Sequence, residues 1–181
     1  MYNLNIEDVV LSIENTPVKK LNGIIYQKYL NFFGNTFMLD VSQKTNFEKL
    51  EQQTNLNRFK LPNNDIDIKK IRVFFMHTKI TKILEKKFKT NLKFDSVDIW
   101  IDNKGYKLSP HTDDKRIKLS LQIYLGNNNI GTSLYNNNKE KIYTFPYKMN
   151  CGYALLNNKH SLHGVETVIK DGRKSIYVRY Q

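Results

Sequence analysis

Glycine and proline are distributed so unevenly along this chain that they divide it into two halves of different character. Six of the eight glycines lie after residue 100, and residues 65–104 contain neither glycine nor proline. Because glycine and proline punctuate turns and interrupt helices, this distribution favours helices in the first half and short strands joined by turns in the second. No other feature of the sequence constrains the fold as strongly.

The first half contains two segments that predict helices. The first is Ile24 to Phe33, and the second runs from Ile66 to Lys89, where an apolar stripe recurs at three- and four-residue steps: Val73, Met76, Ile80, Leu84 and Phe88. Asn64 or Asp65 is expected to cap the start of the second helix. Between the helices, residues 42–65 are predicted to form a long loop.

The second half contains eight segments typical of short strands, separated by turns rich in asparagine and glycine. They are residues 93–101, 106–113, 116–125, 131–135, 141–146, 152–156, 163–168 and 173–180. Eight strands at this spacing predict a sandwich or jelly roll with the helices packed against one sheet. We therefore expect an α+β fold that is mostly β, with residues 1–181 in one domain. Within it, residues 1–92 are expected to form a helical support region and residues 93–181 the jelly-roll core.

Composition narrows the class of protein. The 181 residues carry 29 Lys and Arg against 17 Asp and Glu, a formal charge of +12, and 40% of them are hydrophobic. The hydrophobic content excludes a disordered or collagen-like chain, and the single cysteine, Cys151, excludes an internal disulfide framework or a thiolate zinc cluster. No apolar run reaches the roughly 18 residues of a membrane span, and the N-terminus does not resemble a signal peptide. A cytoplasmic protein without a membrane partner is expected.

The positive charge makes nucleic acid a candidate partner, although not the favoured one. The lysines are scattered and form no compact basic block. Only five basic residues are arginines, so each arginine is expected where a rigid, two-pronged donor is required. They are Arg58, Arg72, Arg116, Arg173 and Arg179.

One His-X-Asp motif carries the clearest chemistry. Residues i and i+2 of a strand project from the same face, so the His111 imidazole and the Asp113 carboxylate are expected to point together. A histidine from a later strand would complete a face of two histidines and one carboxylate, which leaves three positions open on Fe(II). His163, 50 residues after Asp113, is the favoured third ligand. His160 is its rival, but both histidines cannot point inward from one regular strand.

Three other reactive residues are expected to have structural roles. His77 lies inside the second predicted helix and is expected to be packed or at the surface. Asp114 is on the opposite face from Asp113 and is expected to be a turn or surface acid. Cys151 has no obvious base beside it, so a catalytic thiol is not expected.

Two strands of the second half are predicted to have a polar face. The last strand places four polar residues on one face: Arg173, Ser175, Tyr177 and Arg179. A guanidinium suits a carboxylate, because its fork matches both oxygens. In residues 119–125 the alternation separates four apolar residues from a polar set: Ser120, Gln122 and Tyr124.

With these residues in this order, the sequence resembles the Fe(II)/2-oxoglutarate-dependent dioxygenases. The family pattern is His-X-Asp, a gap near fifty residues, a distal histidine, and an arginine about ten residues on, often as Arg-X-Ser. Five residues match it: His111, Asp113, His163, Arg173 and Ser175. The resemblance covers roughly residues 96–180. It implies a double-stranded β-helix in which the first three residues bind Fe(II), and Arg173 and Ser175 hold the distal carboxylate of 2-oxoglutarate.

Finer features resemble two different subfamilies. Residues 122–126, 131–135 and 151–155 look like small prolyl-hydroxylase-like oxygenases, which are known chiefly from marine bacteria and their phages. In such members a tyrosine at the position of Tyr124 reaches the same carboxylate. Residues 105–113 and the pair Arg173 and Arg179 look like the AlkB-type demethylases, although those carry Asn and Tyr where this chain has Trp100 and Asp102. We take Arg179, Gln122, Ser120 and Trp100 as candidate contacts to cosubstrate or substrate.

The activity implied by the resemblance is hydroxylation of a C–H bond in an unidentified protein or small molecule. Dioxygen and 2-oxoglutarate are consumed, and succinate and CO2 are released. Two alternatives remain at this point: an AlkB-like nucleic-acid demethylase, and a non-enzymatic jelly roll, such as an interaction or virion module, whose His-X-Asp motif is accidental. A phage-encoded enzyme of this kind would act in the host cytoplasm.

Overall fold

The structure, a computed structural model, describes residues 4–34, 48–49 and 57–181. The helices are α1 (Ile6–Asn15), α2 (Ile66–Phe75) and α3 (Thr78–Phe88). The strands are β1 (Lys19–Leu21), β2 (Ile24–Tyr29), β3 (Glu48–Lys49), β4 (Arg58–Lys60), β5 (Phe94–Asp102), β6 (Leu108–His111), β7 (Leu119–Tyr124), β8 (Ser133–Tyr135), β9 (Lys141–Thr144), β10 (Gly152–Leu156), β11 (His163–Val165) and β12 (Arg173–Tyr180). A mostly β architecture with a few helices is confirmed, and all eight strands predicted for the second half are present.

The strands form two antiparallel sheets. The larger sheet has the order β1-β2-β10-β7-β12-β5-β4-β3, and the smaller has the order β6-β11-β8-β9. The four central strands of the larger sheet all come from the second half of the chain. Strands of the first half extend the sheet on both sides: Tyr26 of β2 pairs with Leu155 of β10, and Lys60 of β4 pairs with Trp100 of β5.

The helix predicted for Ile24 to Phe33 is wrong, because residues Ile24–Tyr29 form strand β2. The segment is rich in β-branched and aromatic side chains, and pairing with β10 satisfies its backbone in the extended form. The helix of the N-terminal region lies earlier, in α1, where the Asn5 carboxamide accepts a hydrogen bond from the amide of Glu7. The described part of the first half thus supplies three helices and four strands.

The single long helix predicted for Ile66 to Lys89 is two helices. The chain breaks at His77, whose extended backbone (φ −64°, ψ 132°) caps the start of α3 by accepting from the amide of Lys79. The expectation that His77 lies inside a helix is therefore wrong. Asp65, one of the two expected caps, does cap α2. Strands β3 and β4 lie within the loop predicted for residues 42–65, and residues 42–47 and 50–56 lie outside the described residues.

The main core lies between the three helices and one face of the larger sheet. Its fully buried side chains include Ile99, Ile123 and Ile176 from three neighbouring strands, and Phe75 and Leu84 from α2 and α3. The helices therefore pack on one sheet, as expected, and the opposite face of that sheet is left to meet the smaller sheet. Among the described helices, none is both long and apolar enough to cross a membrane.

Candidate active site

His111, Asp113 and His163 converge at one place. His111 and His163 are directly opposite each other on β6 and β11, and their ring centroids are 4.6 Å apart. Asp113 lies two residues beyond β6, and its Oδ1 is 3.7 Å from Nε2 of His163. One donor atom from each of the three residues lies within 4.8 Å of the other two. This is the arrangement that a metal bound by two imidazoles and one carboxylate requires.

Both histidines are oriented for metal binding by their own backbone. Nδ1 of His111 is 2.9 Å from the carbonyl oxygen of Ser109, and Nδ1 of His163 is 2.9 Å from that of Ser161. A carbonyl only accepts, so each Nδ1 carries the proton and each Nε2 keeps its lone pair. Burial lowers the pKa of His163, which favours the neutral, metal-binding imidazole.

The carboxylate of Asp113 is oriented by two hydroxyl groups. The Tyr177 hydroxyl donates to both oxygens, at 2.9 and 3.0 Å, and the Ser120 hydroxyl donates to Oδ2. Burial, and then the charge of Asp113, raise the pKa of Tyr177 far above its usual value, so the phenol stays a donor. Hydrogen bonds of this kind fix the direction in which a ligand carboxylate presents its lone pairs.

Three other reactive residues considered in the sequence lie outside the cluster: Asp114, His160 and Cys151. Asp114 is exposed and pairs with Arg116, whose hydrogen bonds lower the pKa of that carboxyl group. Nδ1 of His160 is 3.1 Å from the Asn137 carboxamide oxygen. Cys151 is buried with its thiol donating to a backbone carbonyl, and burial raises the pKa of the thiol, which disfavours a reactive thiolate.

A cavity of about 290 Å³ opens beside the three converging residues. Its polar and aromatic wall is formed by Arg58, Trp100, Gln122, Thr132, Tyr153, Tyr177 and Arg179. Trp100, Gln122 and Arg179 were candidate contacts from the sequence, and all three reach the cavity. Ser120 lies behind Asp113 instead.

Arg173 lies one side chain behind the cavity wall. It is fully buried, and its guanidinium donates to Asp102 (2.6 Å), to the carbonyl of Ile130 (2.8 Å) and to the Thr132 hydroxyl (3.2 Å). Thr132 itself lines the cavity. The guanidinium is therefore connected to the cavity through a hydroxyl group.

Ser175 and Tyr124 belong to the same buried network. The Ser175 hydroxyl accepts from the Gln122 carboxamide at 2.9 Å, and the Tyr124 hydroxyl accepts from the amide of Thr132 at 2.8 Å. The Gln122 carboxamide oxygen accepts from the hydroxyls of Thr132 and Tyr153, at 2.6 and 3.0 Å. Among the described residues that line the cavity, neither Ser175 nor Tyr124 is present.

Sequence reasoning missed Arg58, Thr132 and Tyr153 as parts of the site. Arg58 had one signal, its rarity, and it does form a forked pair with Asp102, at 2.7 and 3.3 Å. Tyr153 is opposite Gln122 in the pairing of β10 with β7, and that register is not encoded by any local pattern.

Comparison with known proteins identifies the fold. No protein-family model and no curated protein sequence matches the chain. Among solved structures, a prolyl 4-hydroxylase from Phytophthora capsici is similar with a TM-score of 0.68 and 14% identity, over 100% of this chain and 66% of that one. A prolyl hydroxylase from Trichoplax adhaerens, in complex with a hypoxia inducible factor peptide fragment, has a TM-score of 0.65 and 13% identity over 97% and 88% of the two chains.

An oxidoreductase of the 2OG-Fe(II) oxygenase family from Burkholderia pseudomallei is also similar, with a TM-score of 0.55 and 15% identity over 97% of this chain and 77% of that one. The chain therefore has the fold of the 2OG-Fe(II) oxygenases and prolyl hydroxylases. The three converging side chains of this chain are those that the sequence resemblance assigned to iron.

Proposed function

We propose that the protein is an Fe(II)- and 2-oxoglutarate-dependent dioxygenase that hydroxylates a C–H bond of a protein or small-molecule substrate. The convergence of His111, Asp113 and His163 beside a cavity carries this proposal. An accidental His-X-Asp motif in an interaction module would have no reason to be joined by a third ligand from another strand.

The donor set fits Fe(II). Nε2 of each histidine and a carboxylate oxygen of Asp113 would hold the ion on one face and leave the other positions to small molecules. When bound, Fe(II) supplies the activation of dioxygen that no protein side chain provides. In the overall reaction one oxygen atom of O2 enters the substrate as hydroxyl, and the other enters succinate, which forms from 2-oxoglutarate with loss of CO2.

For 2-oxoglutarate, we expect the distal carboxylate to lie at the wall in front of Arg173. The Thr132 and Tyr153 hydroxyls reach that wall, and Arg173 supplies the positive charge behind them. Ser175 and Tyr124 would support this wall from behind, because their hydroxyl groups hold Gln122 and Thr132 in place by hydrogen bonds. The polar face of β7 and β12 thus serves the cosubstrate.

The remaining features of the proposal concern the whole chain. The two sheets would correspond to the double-stranded β-helix, with residues 93–181 as its core and residues 1–92 as support within a single domain. The similar prolyl hydroxylase from Trichoplax adhaerens holds a peptide fragment, which supports a hydroxylase acting on a peptide. We place the activity of the present protein in the cytoplasm.

Two matched pairs of variants test the proposal. Succinate release from 2-oxoglutarate in the presence of Fe(II) is measured for Asp113→Ala and His163→Ala. Asp114→Ala and His160→Ala serve as controls, because each removes the same residue type one to three positions away but outside the cluster. We expect the first two variants to fall to the background rate and the controls to keep the parent's rate. Equal turnover by Asp113→Ala and the parent would falsify the metal assignment.

A further inference from the structure

Two rows of charged side chains cross β4, β5 and β12 on the cavity side of the larger sheet. In the first row, Asp102 of β5 pairs with Nε of Arg58 at 2.7 Å and with Nη1 of Arg173 at 2.6 Å. Two cations from the flanking strands thus share one fully buried carboxylate, and the row carries a net charge of +1.

The second row repeats this pattern nearer the middle of β5. Asp98 pairs with Nζ of Lys60 at 2.7 Å and with Nη2 of Arg179 at 2.5 Å. Its carboxylate is only 3% exposed, so the two cations again share one buried acid and leave a surplus of +1. Charges removed from water need partners of opposite sign, so the buried first row favours an added anion. In the second row the Lys60 and Arg179 side chains are 24% and 32% exposed, so their surplus charge is open to an anion from solvent.

With Fe(II) bound, three places at the cavity would each carry a net charge of +1: the metal site and the two rows. The two carboxylates of 2-oxoglutarate would neutralise two of them. Fe(II) with Asp113 would carry a net +1, which the carboxylate at the keto end of 2-oxoglutarate would offset. The distal carboxylate of the same molecule would offset the row that contains Arg173. Nothing in 2-oxoglutarate remains for the row of Lys60 and Arg179, and Asp113 is the only acid among the described residues that line the cavity.

We infer that the substrate is anionic, and that its carboxylate or phosphate group binds beside Arg179 and Lys60 with an apolar part against Trp100. This inference rests on the proposed function. Arg179 and Trp100 both line the cavity, and Nζ of Lys60 lies 5.9 Å from the centroid of the Trp100 ring.

One unmet hydrogen bond supports the site. Nε of Arg179 is buried and has no hydrogen-bond partner among the described residues, so an anion that displaces the groups covering it would supply the missing acceptor. The cavity of about 290 Å³ suits a compact anion rather than a strand of nucleic acid.

Trp100 provides the measurement, because it is the only tryptophan of the chain and its fluorescence reports this wall alone. The full-length protein, loaded with Mn(II) and 2-oxoglutarate under nitrogen, is titrated with two matched pairs of probes. The first pair is N-acetylproline and N-acetylprolinamide, and the second is glycerol 3-phosphate and glycerol. We expect the anionic member of at least one pair to bind about tenfold more tightly than its neutral partner, and the better pair identifies carboxylate or phosphate.

Three variants assign the preference to the row. Arg179→Gln and Lys60→Gln should each abolish most of it, whereas Arg72→Gln, which removes the same charge on α2, should leave it unchanged. Each of the first two variants leaves Asp98 with one cation, and thermal unfolding confirms that they fold. Equal binding of charged and neutral probes, or an unchanged preference in Arg179→Gln, overturns the inference.

Mn(II) affinity, measured separately by calorimetry, distinguishes this inference from the proposed function. Normal Mn(II) binding without an anion preference overturns only the inference, whereas an anion preference without Mn(II) binding supports the anion site and overturns the metal assignment. A methylated single-stranded oligonucleotide that binds more tightly than either small anion, with a steep salt dependence, would assign the surface to nucleic acid and overturn the inference.

Discussion

The two faces of the larger sheet are built on opposite physical rules, although they share the same strands. Residues 176–179 of β12 alternate between the two faces. Ile176 and Val178 point into the helix-covered core, whereas Tyr177 and Arg179 point to the cavity side. On β5, Val97 and Ile99 alternate in the same way with a polar and aromatic set: Asp98, Trp100 and Asp102. A residue and its neighbour therefore face entirely different surroundings.

This difference separates stability from specificity. Apolar burial is non-directional and scales with area, so the helix-covered face tolerates any close-packed arrangement. Each buried polar group on the cavity side needs a partner at a defined distance and angle. We therefore expect substitutions on the apolar face to cost stability alone. Those on the cavity side should mainly cost ligand binding, with about 1 kcal/mol of stability for a lost hydrogen bond and a larger loss where a buried charge is left unpaired.

A substitution that leaves a buried charge unpaired has the largest expected effect. Asp102→Asn would leave Arg58 and Arg173 without the carboxylate that they share, which should lower the free energy of unfolding by about 3–5 kcal/mol. Urea unfolding at pH 7 measures this loss. Asp95→Asn on the same strand is the control, because that carboxylate is exposed, and it should change the free energy by no more than about 0.5 kcal/mol. Similar unfolding of both variants would show that the first row contributes little.

Adjacent positions on β12 provide the next test. Ile176→Ala should lower the free energy of unfolding by about 2–5 kcal/mol, because it leaves a cavity in the main core. Ser175→Ala removes one acceptor from Gln122 and should cost about 1 kcal/mol. The folded fraction of Ile176→Ala should bind Mn(II) as tightly as the parent does. A loss of Mn(II) affinity in that variant would mean that the two faces are not independent.

A smaller effect is expected from two tyrosines on opposite faces. Tyr177→Phe removes the hydroxyl that orients Asp113 and should weaken Mn(II) binding about tenfold, with little change in stability. Tyr180→Phe removes a hydrogen bond to the carbonyl of Phe75 on the other face, so it should lower stability and leave Mn(II) affinity unchanged. Calorimetric titration and urea unfolding of both variants provide the two measurements. The reverse pattern would contradict the assignment of Tyr177 as a positioning residue.

The smallest effect concerns tyrosine ionisation at high pH. Burial raises the pKa of Tyr106 and of Tyr147 to about 12, although the positive charge of Arg173 lowers both values in part. Burial alone raises the pKa of Tyr180 further. Since a pKa raised by folding stabilises the folded state below the unfolded value of about 10, this contribution is lost as the pH rises from 10 to 12.

Absorbance titration near 295 nm tests this ordering. The folded protein should show an ionisation step near pH 12 that shrinks in Tyr106→Phe and is unchanged in Tyr180→Phe. A step of equal size in the parent and in Tyr106→Phe would mean that the cations of the cavity side do not reach this phenol.

Local patterns were sufficient to predict the strands of the second half. Together with the spacing of the resemblance, they also singled out the three residues that converge in the structure. Alternation and asparagine-rich turns are short-range signals. The spacing of His111 and Asp113 keeps the two side chains near each other, although Asp113 lies beyond the end of β6. The secondary structure of Ile24–Tyr29 was not predictable from local patterns, because this segment becomes a strand by pairing with β10, which lies far along the chain. The break at His77 was hidden because neither glycine nor proline marks it.

The wall of the cavity was predictable only in part for a related reason. Arg173 and Ser175 could be assigned to one face of β12, but the position of Thr132 in front of Arg173 depends on how the smaller sheet lies over the larger one. The role of Arg58 depends on β4 joining β5, a pairing with no signal in either segment. Register and sheet order therefore decide which polar residues reach the cavity.

The placement of β2 and β4 on either side of the four central strands has a consequence for how the chain folds. Both segments leave the ribosome before β10 and β5 exist, so neither can pair when it first emerges. Native pairing between segments far apart in sequence slows folding, and a chain begun at residue 93 would present two unprotected strand edges to its neighbours. We expect such a shortened chain to self-associate rather than to fold as a smaller domain.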